Sequence, residues 1–211
     1  MGGELIGNRD QFHFMLRCIV LALGSQLLAY YSTQLITVAE AHVLTTRLDE
    51  AIRVAPAWLT VYFLVFFDWI ACGIAILSEQ QTRAKRFTLA YVLSMFAAAL
   101  IFIFYPCTMD RPAVMGSDPF SILLRLLYRI DSPTNLFPSL HVLISYLCWR
   151  GTIGCEKLPK WFSALQFGIL ICVCLSILFV KQHVIADIPS AIVIGELALQ
   201  ASRLLIPESE T

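Results

Sequence analysis

Long apolar stretches without charge, or with at most one or two ionisable residues, alternate with short polar links along the chain. Six stretches approach the roughly 20 apolar residues that a helix needs to cross a bilayer. They cover residues 15–36, 58–77, 87–107, 138–149 (extendable to 153), 161–180 and 184–205. This pattern predicts an all-α fold, a polytopic membrane bundle of six transmembrane helices. We expect residues 1–211 to form a single membrane-embedded domain.

Composition supports the membrane assignment and excludes other classes of protein. Hydrophobic residues make up 58% of the chain and charged residues only 14%, against roughly 25% charge in soluble domains. The net charge is zero and no basic run is present, so we expect no nucleic-acid partner. The seven cysteines show no metal-binding spacing, so we expect no metal site.

The positions of the basic residues predict the orientation. With a cytoplasmic N-terminus, nine of the 15 Lys and Arg residues fall on the cytoplasmic side, as the positive-inside rule requires. Both termini are then cytoplasmic, and links 37–56 and 108–137 lie on the other side. Residues 48–56 are predicted to form a short surface helix. Asp118 and Pro119 favour the start of an amphipathic interfacial helix.

Ionisable residues at membrane depth are costly, so each is a functional candidate. The first group on the extracytoplasmic side is Asp110-Arg111-Pro112. The guanidinium of Arg111 offers a planar fork of donors that suits phosphate oxygens. The structural alternative is an arginine that extends to the membrane interface.

A second group lies at the predicted start of the fourth helix, in the segment 135–141. A helix that begins at Pro138 would leave free N–H groups that favour an anion. Ser139 adds a hydroxyl donor, and His141 is placed to give or take a proton. The alternative is a capped helix with an incidental histidine.

The third group begins the sixth stretch and contains Lys181, His183 and Asp187. His183 and Asp187 are four residues apart and would share a helical face. A carboxylate beside an imidazole fixes its tautomer and raises its basicity. A structural ion pair is the alternative. Taken together, the three groups are suitable parts for phosphoryl transfer, which needs positioning and charge neutralisation and no metal.

The blocks DRP, NLFPSLH and KQHVIAD, in this order, resemble the type 2 phosphatidic acid phosphatase superfamily. They are most similar to its inositol phosphorylceramide synthase-like branch, and the resemblance covers residues 105–196. It implies that His183 is the nucleophile that forms a phosphohistidine, with Asp187 holding it. It further implies that His141 is the general acid and later the base. Arg111, Ser139 and Lys181 would bind phosphate, without a metal or organic cofactor.

Three positions depart from the pattern of the broader family. Phe104 and Ile177 stand where the family carries a lysine and an arginine, and Leu140 replaces a glycine. Leu140 fits the synthase-like branch. The missing cations leave open a different phosphate geometry, or a transferase in place of a phosphatase.

The expected function is hydrolysis of a phosphoester or pyrophosphate lipid at the extracytoplasmic face of a membrane, a bacterial cytoplasmic membrane being the first choice. The bilayer and a phosphorylated lipid are the expected partners. The alternative is a phosphotransferase that moves a lipid phospho-headgroup to another lipid hydroxyl. A proton-coupled transporter or a non-catalytic membrane protein ranks lower. Two other acids are expected to be structural: Asp68 as a bond to a neighbouring helix, and Glu196 as a packing group.

Overall fold

The computed structural model describes residues 8–32, 36 and 40–207, and this part of the chain is mostly helical. Within it lie eight α-helices: α1 Asn8–Leu27, α2 Arg47–Ala51, α3 Leu59–Leu77, α4 Gln81–Phe104, α5 Pro119–Ile130, α6 Leu140–Thr152, α7 Lys160–Phe179 and α8 Asp187–Leu205. A π-helical turn, Leu28–Ser32, extends α1, and a 3₁₀ turn, Pro56–Trp58, leads into α3. Residues 33–35 of the first predicted stretch and 37–39 of the following link lie outside the described residues.

Five helices are long and apolar enough to cross a membrane, and they make this a membrane-embedded protein. These spans are Arg9–Tyr31, Pro56–Leu77, Gln81–Phe104, Lys160–Phe179 and Asp187–Leu205. The predicted fourth span corresponds to α6, which has only 13 residues. At 1.5 Å per residue, α6 is roughly 20 Å long, short of the hydrocarbon thickness of about 30 Å. The predicted count of six spanning helices is therefore not confirmed.

Helix α6 is the centre of the bundle and packs against α3, α4, α7 and α8. Its Val142, Leu143 and Leu147 side chains have no exposed surface. The outer helices direct large apolar side chains away from the protein, such as Phe67 of α3, which is 72% exposed. Apolar residues on both faces suit a bundle with lipid outside and packed side chains inside.

Polar side chains form hydrogen bonds between helices of the bundle. The predicted interhelical bond of Asp68 is confirmed, because Gln166 Nε2 of α7 donates to its Oδ1 at 2.7 Å. Glu196 of α8 accepts two hydrogen bonds from Arg150 and one from Tyr146, both on α6. The Glu196 contacts fix α6 against α8 at the end away from the histidines.

The links at the other end are tied together by short elements. Strands β1 (His42–Val43) and β2 (Cys107–Thr108) pair in parallel, which holds the segment after α4 beside the first link. Helix α2 starts with a capping box between Thr46 and Asp49. Helix α5 starts at the predicted place, with the Asp118 side chain accepting two backbone N–H groups.

Candidate active site

His183 is held in one tautomer by two acceptors. Its Nδ1 lies 3.0 Å from Asp187 Oδ2 and 3.0 Å from the carbonyl oxygen of Leu136. Because both partners accept, Nδ1 carries the proton and Nε2 keeps its lone pair. Asp187 is fully buried, and its Oδ2 also accepts the Val184 N–H at 3.0 Å. The result is an oriented imidazole with a nucleophilic nitrogen.

Local structure explains how this pair forms. Helix α7 ends at Phe179, and Lys181 adopts a positive φ of 51° that turns the chain back. The N–H groups of Gln182 and His183 both donate to the Ile177 carbonyl. Asp187 begins α8, where a carboxylate is favoured by the helix dipole. His183 thus precedes the helix, so the predicted pair meets across a turn and not along a helical face.

His141 faces His183 from α6, with 6.1 Å between the ring centroids. It sits among three aromatic rings of α3, stacked on Tyr62 at 4.3 Å and next to Phe66 and Trp69. Its Nε2 is buried and has no hydrogen-bond partner among the described residues. His141 of α6 and His183 of the turn before α8 therefore meet at one point, as the sequence predicts.

Arg111 is close to this centre but is engaged by protein groups. Its guanidinium donates to the Asp131 carbonyl and to Gln182 Oε1, and lies 3.7 Å from the Asp131 carboxylate. Its Cζ stacks 4.9 Å from the ring centroid of Tyr128. Burial lowers the pKa of Arg111, while the Asp131 carboxylate acts in the opposite direction. Gln182, directly before His183, links the arginine to the turn that carries His183.

Lys181 and Ser139, the other two residues expected to bind phosphate, differ in their position relative to the site. The Lys181 ammonium donates to the Asp49 carbonyl of α2, and Asp49 Oδ1 accepts the Ile185 N–H at 2.7 Å. Burial lowers the pKa of Lys181, against the raising effect of Asp49 and Glu50. Ser139 is fully buried as the N-cap of α6, and its hydroxyl accepts the Val142 N–H at 3.5 Å. Lys181 is at the site, whereas Ser139 supports the helix that carries His141.

Asp49 joins the first link to the turn between α7 and α8. Burial alone would raise its pKa, but hydrogen bonds from Thr46 and from the Ile185 N–H lower the pKa overall. Asp49 therefore remains a carboxylate that fixes the chain just before Asp187.

Two cavities meet at His183. The first, about 440 Å³, is largely apolar, and its lining includes both histidines and the aromatic residues Tyr30, Tyr62, Phe66 and Trp69. The second, about 620 Å³, is lined by charged residues that include Asp49, Arg53, Asp110, Arg111 and Lys181, together with His183. His141 lines only the first cavity. An amphiphilic molecule could place its polar group at the histidines and its apolar part in the first cavity.

Sequence reasoning missed several residues of this site. The contacts of Gln182 and Asp131 with Arg111 carry no sequence signal, because they join distant segments. The contact of Asp49 with Lys181 carries none for the same reason. The aromatic residues Tyr62, Phe66 and Trp69 follow the helical spacing i, i+4, i+7, which identifies a face but not its partner. Phe104 and Ile177, which stand where the family carries cations, line neither of the two cavities.

Within residues 8–32, 36 and 40–207, no group of three or more His, Cys, Asp or Glu side chains is arranged to hold a metal ion. Comparison of the chain with protein-family models, with curated proteins and with solved structures gives no match. The fold and the site define a membrane-embedded helical protein with a buried His-Asp pair facing a second histidine.

Proposed function

We propose that this protein is a lipid phosphatase that hydrolyses a phosphoester or pyrophosphate lipid through a phosphohistidine. The observation that carries the proposal is the fixed tautomer of His183, whose Nδ1 is held by Asp187 and Leu136. The ring of His141 faces it, with 6.1 Å between the two ring centroids. His183 keeps a lone pair on Nε2, its Nδ1 is bound by a buried carboxylate, and a second histidine faces its ring. These are the groups that nucleophilic catalysis needs.

The reaction has two steps. His183 Nε2 attacks phosphorus and forms an N–P bond, while the bond from phosphorus to the lipid oxygen breaks. His141 donates a proton to that oxygen, and the lipid leaves as an alcohol or a monophosphate. His141, now neutral, takes a proton from water, whose oxygen attacks the phosphohistidine. Inorganic phosphate leaves, and both histidines return to their starting states.

The charged residues around His183 suit a phosphate. Arg111 is turned toward the site by Gln182, and an incoming anion would compete with Asp131 for its donors. Lys181 lines the charged cavity beside His183. The aromatic cavity would take the alkyl chain of the substrate, since its walls are rings of α3 and the end of α1.

The proposal includes a sixth membrane crossing. Helix α6 is enclosed by the spanning helices α3, α4, α7 and α8, and the buried segment 135–139 precedes it. We propose that this segment and α6 cross the membrane together, with the histidines on the extracytoplasmic side. The membrane proposed first is a bacterial cytoplasmic membrane.

One observation favours a phosphotransferase as the second candidate. His141, which activates the acceptor in the second step, lines the aromatic cavity and not the charged one. An acceptor that reaches His141 through the aromatic cavity would be a lipid hydroxyl. The His183 chemistry is then unchanged, and only the source of the attacking oxygen differs.

Phosphate release by the purified protein in detergent tests the proposal. The substrates are phosphatidic acid, a prenyl pyrophosphate and a lysophospholipid, each with EDTA present. We expect release that persists in EDTA and is abolished by His183→Ala. His42→Ala serves as a control, because this exposed histidine stacks on Tyr105 and lines neither cavity. Absence of release from every lipid would refute hydrolysis. Transfer from a labelled phospholipid to diacylglycerol or ceramide would then identify a transferase.

A further inference from the structure

A third cavity lies at the end of the bundle opposite the histidines. Its volume is about 460 Å³, and four arginines line it: Arg83 and Arg86 of α4, Arg150 of α6 and Arg203 of α8. No aspartate or glutamate from the described part of the chain lines this cavity. Four guanidinium groups from three helices therefore converge on one space.

Arg83 and Arg150 differ in whether their contacts neutralise the guanidinium charge. Arg83 donates to the carbonyl oxygens of Ile153 and Gly154 at 3.0 and 2.7 Å, and these acceptors carry no formal charge. Arg150 is paired with Glu196. Arg203 is exposed at the cavity edge. The bonds of Arg83 fix a guanidinium at the wall of the cavity without cancelling its charge.

The start of α4 adds to the positive potential of this cavity. Its N-cap, Gln80, makes no side-chain capping bond, and the first turn contains no acid. Gln80 and Thr82 line the cavity together with Arg83, so the free N–H groups of a 24-residue helix begin at its wall. Cations at this end of a helix are opposed by the helix dipole. An anion in the cavity would relieve this repulsion and accept hydrogen bonds from the same groups.

The surroundings of the cavity point to a lipid as the source of the anion. It opens where span α4 begins and span α8 ends. The ends of spanning helices lie close to the lipid headgroups. Apolar side chains stand exposed next to it, with Leu204 83% and Leu205 66% exposed at the end of α8. Phe87 and Leu199 form its inner wall. A phospholipid could place its phosphate at the arginines and its acyl chains against these apolar surfaces.

We propose that this cavity binds the phosphate headgroup of an anionic phospholipid in the leaflet at this end of the bundle, separate from the histidine site. Arg83 and Arg203 are direct ligands of the headgroup. The bound lipid would bridge α4, α6 and α8 and stabilise their packing where the Arg150–Glu196 pair already joins two of them.

The test measures binding of short-chain phosphatidylglycerol to the delipidated full-length protein in neutral detergent, with phosphatidylcholine as the reference lipid. We expect Arg83→Gln with Arg203→Gln to weaken phosphatidylglycerol binding by roughly 25-fold, about fivefold for each arginine near the lipid surface. Lys85→Gln with Lys160→Gln is the matched control. It removes the same charge at the same end from two exposed residues outside the cavity lining, and it should change binding less than twofold.

Three results would overturn the proposal. Equal weakening by the two double variants would show a general effect of net charge. Wild-type affinity for phosphatidylglycerol in the arginine double variant would show that the lipid does not bind in this cavity. Displacement of the lipid by millimolar inorganic phosphate would assign the cavity to a soluble anion. Should the double variant unfold, Arg203→Gln alone, at an exposed position, must still weaken binding by about fivefold.

Discussion

Replacing Asp187 by asparagine separates the charge of this carboxylate from its geometry. In the wild-type protein one oxygen, Oδ2, accepts both the Val184 N–H and the His183 Nδ1–H, each at 3.0 Å, while Oδ1 has no partner among the described residues. In Asp187→Asn, the Val184 N–H can be satisfied only by the amide oxygen. That oxygen must therefore take the Oδ2 position, and the amide NH2 takes the other. The His183 tautomer is retained, and the Leu136 carbonyl continues to hold it.

The expected loss of activity follows from this geometry. A hydrogen bond to a charged acceptor is worth about 1–2 kcal/mol more than one to a neutral acceptor, which corresponds to roughly 5- to 30-fold in rate. We expect Asp187→Asn to slow phosphate release by this factor. Asp187→Ala should be slower still and less stable, because the buried Val184 N–H loses its acceptor at a cost of about 1–3 kcal/mol.

Steady-state phosphate release, measured for Asp187→Asn beside His183→Ala, checks this prediction. Nitrogen NMR of ¹⁵N-labelled histidine reports the tautomer of His183 independently of activity. If Asp187→Asn falls to the background of His183→Ala, or if the proton of His183 moves to Nε2, the reasoning from the Val184 N–H is refuted. Loss of the proper tautomer costs about 10⁴-fold in the serine protease triad, so the two outcomes are well separated.

Three further predictions concern the site and the bundle. Arg111→Lys removes the planar fork and should raise KM at least tenfold with a smaller change in kcat; an unchanged KM in steady-state kinetics would contradict a phosphate contact. Gly151→Ala should destabilise the bundle by about 1–3 kcal/mol in thermal unfolding, because its Cβ would meet side-chain atoms of α3 and α4 at 2.7–3.0 Å. Gly73→Ala, which meets nothing within 4 Å, is its control and should not destabilise. Burial raises the pKa of Asp49, but hydrogen bonds outweigh this effect and hold the pKa below its ordinary value of about 3.9. The contribution of Asp49 to folding stability is therefore complete above that pH and is lost as pH falls through the lowered pKa. Asp49→Asn should therefore flatten the acid side of the thermal-stability profile, and an identical acid slope in both proteins would show that Asp49 contributes nothing.

The fold could be predicted from the sequence where apolar length alone decides it. Five of the six predicted stretches are long helices, because 20 apolar residues have few other stable arrangements in a bilayer. The fourth stretch differs because Ser139 caps the helix at Leu140 and the chain before it is irregular. Hydropathy does not distinguish a buried irregular segment from a helix, so the length of α6 could not be predicted.

The candidate site, like the fold, has parts that the sequence predicts and parts that it does not. Spacing of four residues correctly placed Asp187 beside His183, since a separation of this size keeps two side chains close in a turn or in a helix. The direction of Arg111 depends on Asp131 and Gln182, which are 20 and 71 residues away in the sequence. Lys181 turns to Asp49, 132 residues away. Such contacts arise from the packing of the links, and no periodic pattern records them.

The two cavities give the histidines unequal surroundings, and this inequality bears on the acceptor. His183 lines both cavities, so an anionic group can approach it from the charged side while an alkyl chain occupies the aromatic side. His141 lines only the aromatic cavity, where Tyr62 stacks on its ring. In the proposed reaction, the leaving lipid oxygen receives its proton beside the alkyl chain of the same lipid. His141 is placed to donate that proton, because it lines the cavity that would hold the alkyl chain. Water that enters from the charged cavity must then pass the phosphorylated His183 to reach the same base. The choice between hydrolysis and transfer therefore depends on how far water enters the aromatic cavity after the first lipid leaves, and not on the identity of the catalytic groups.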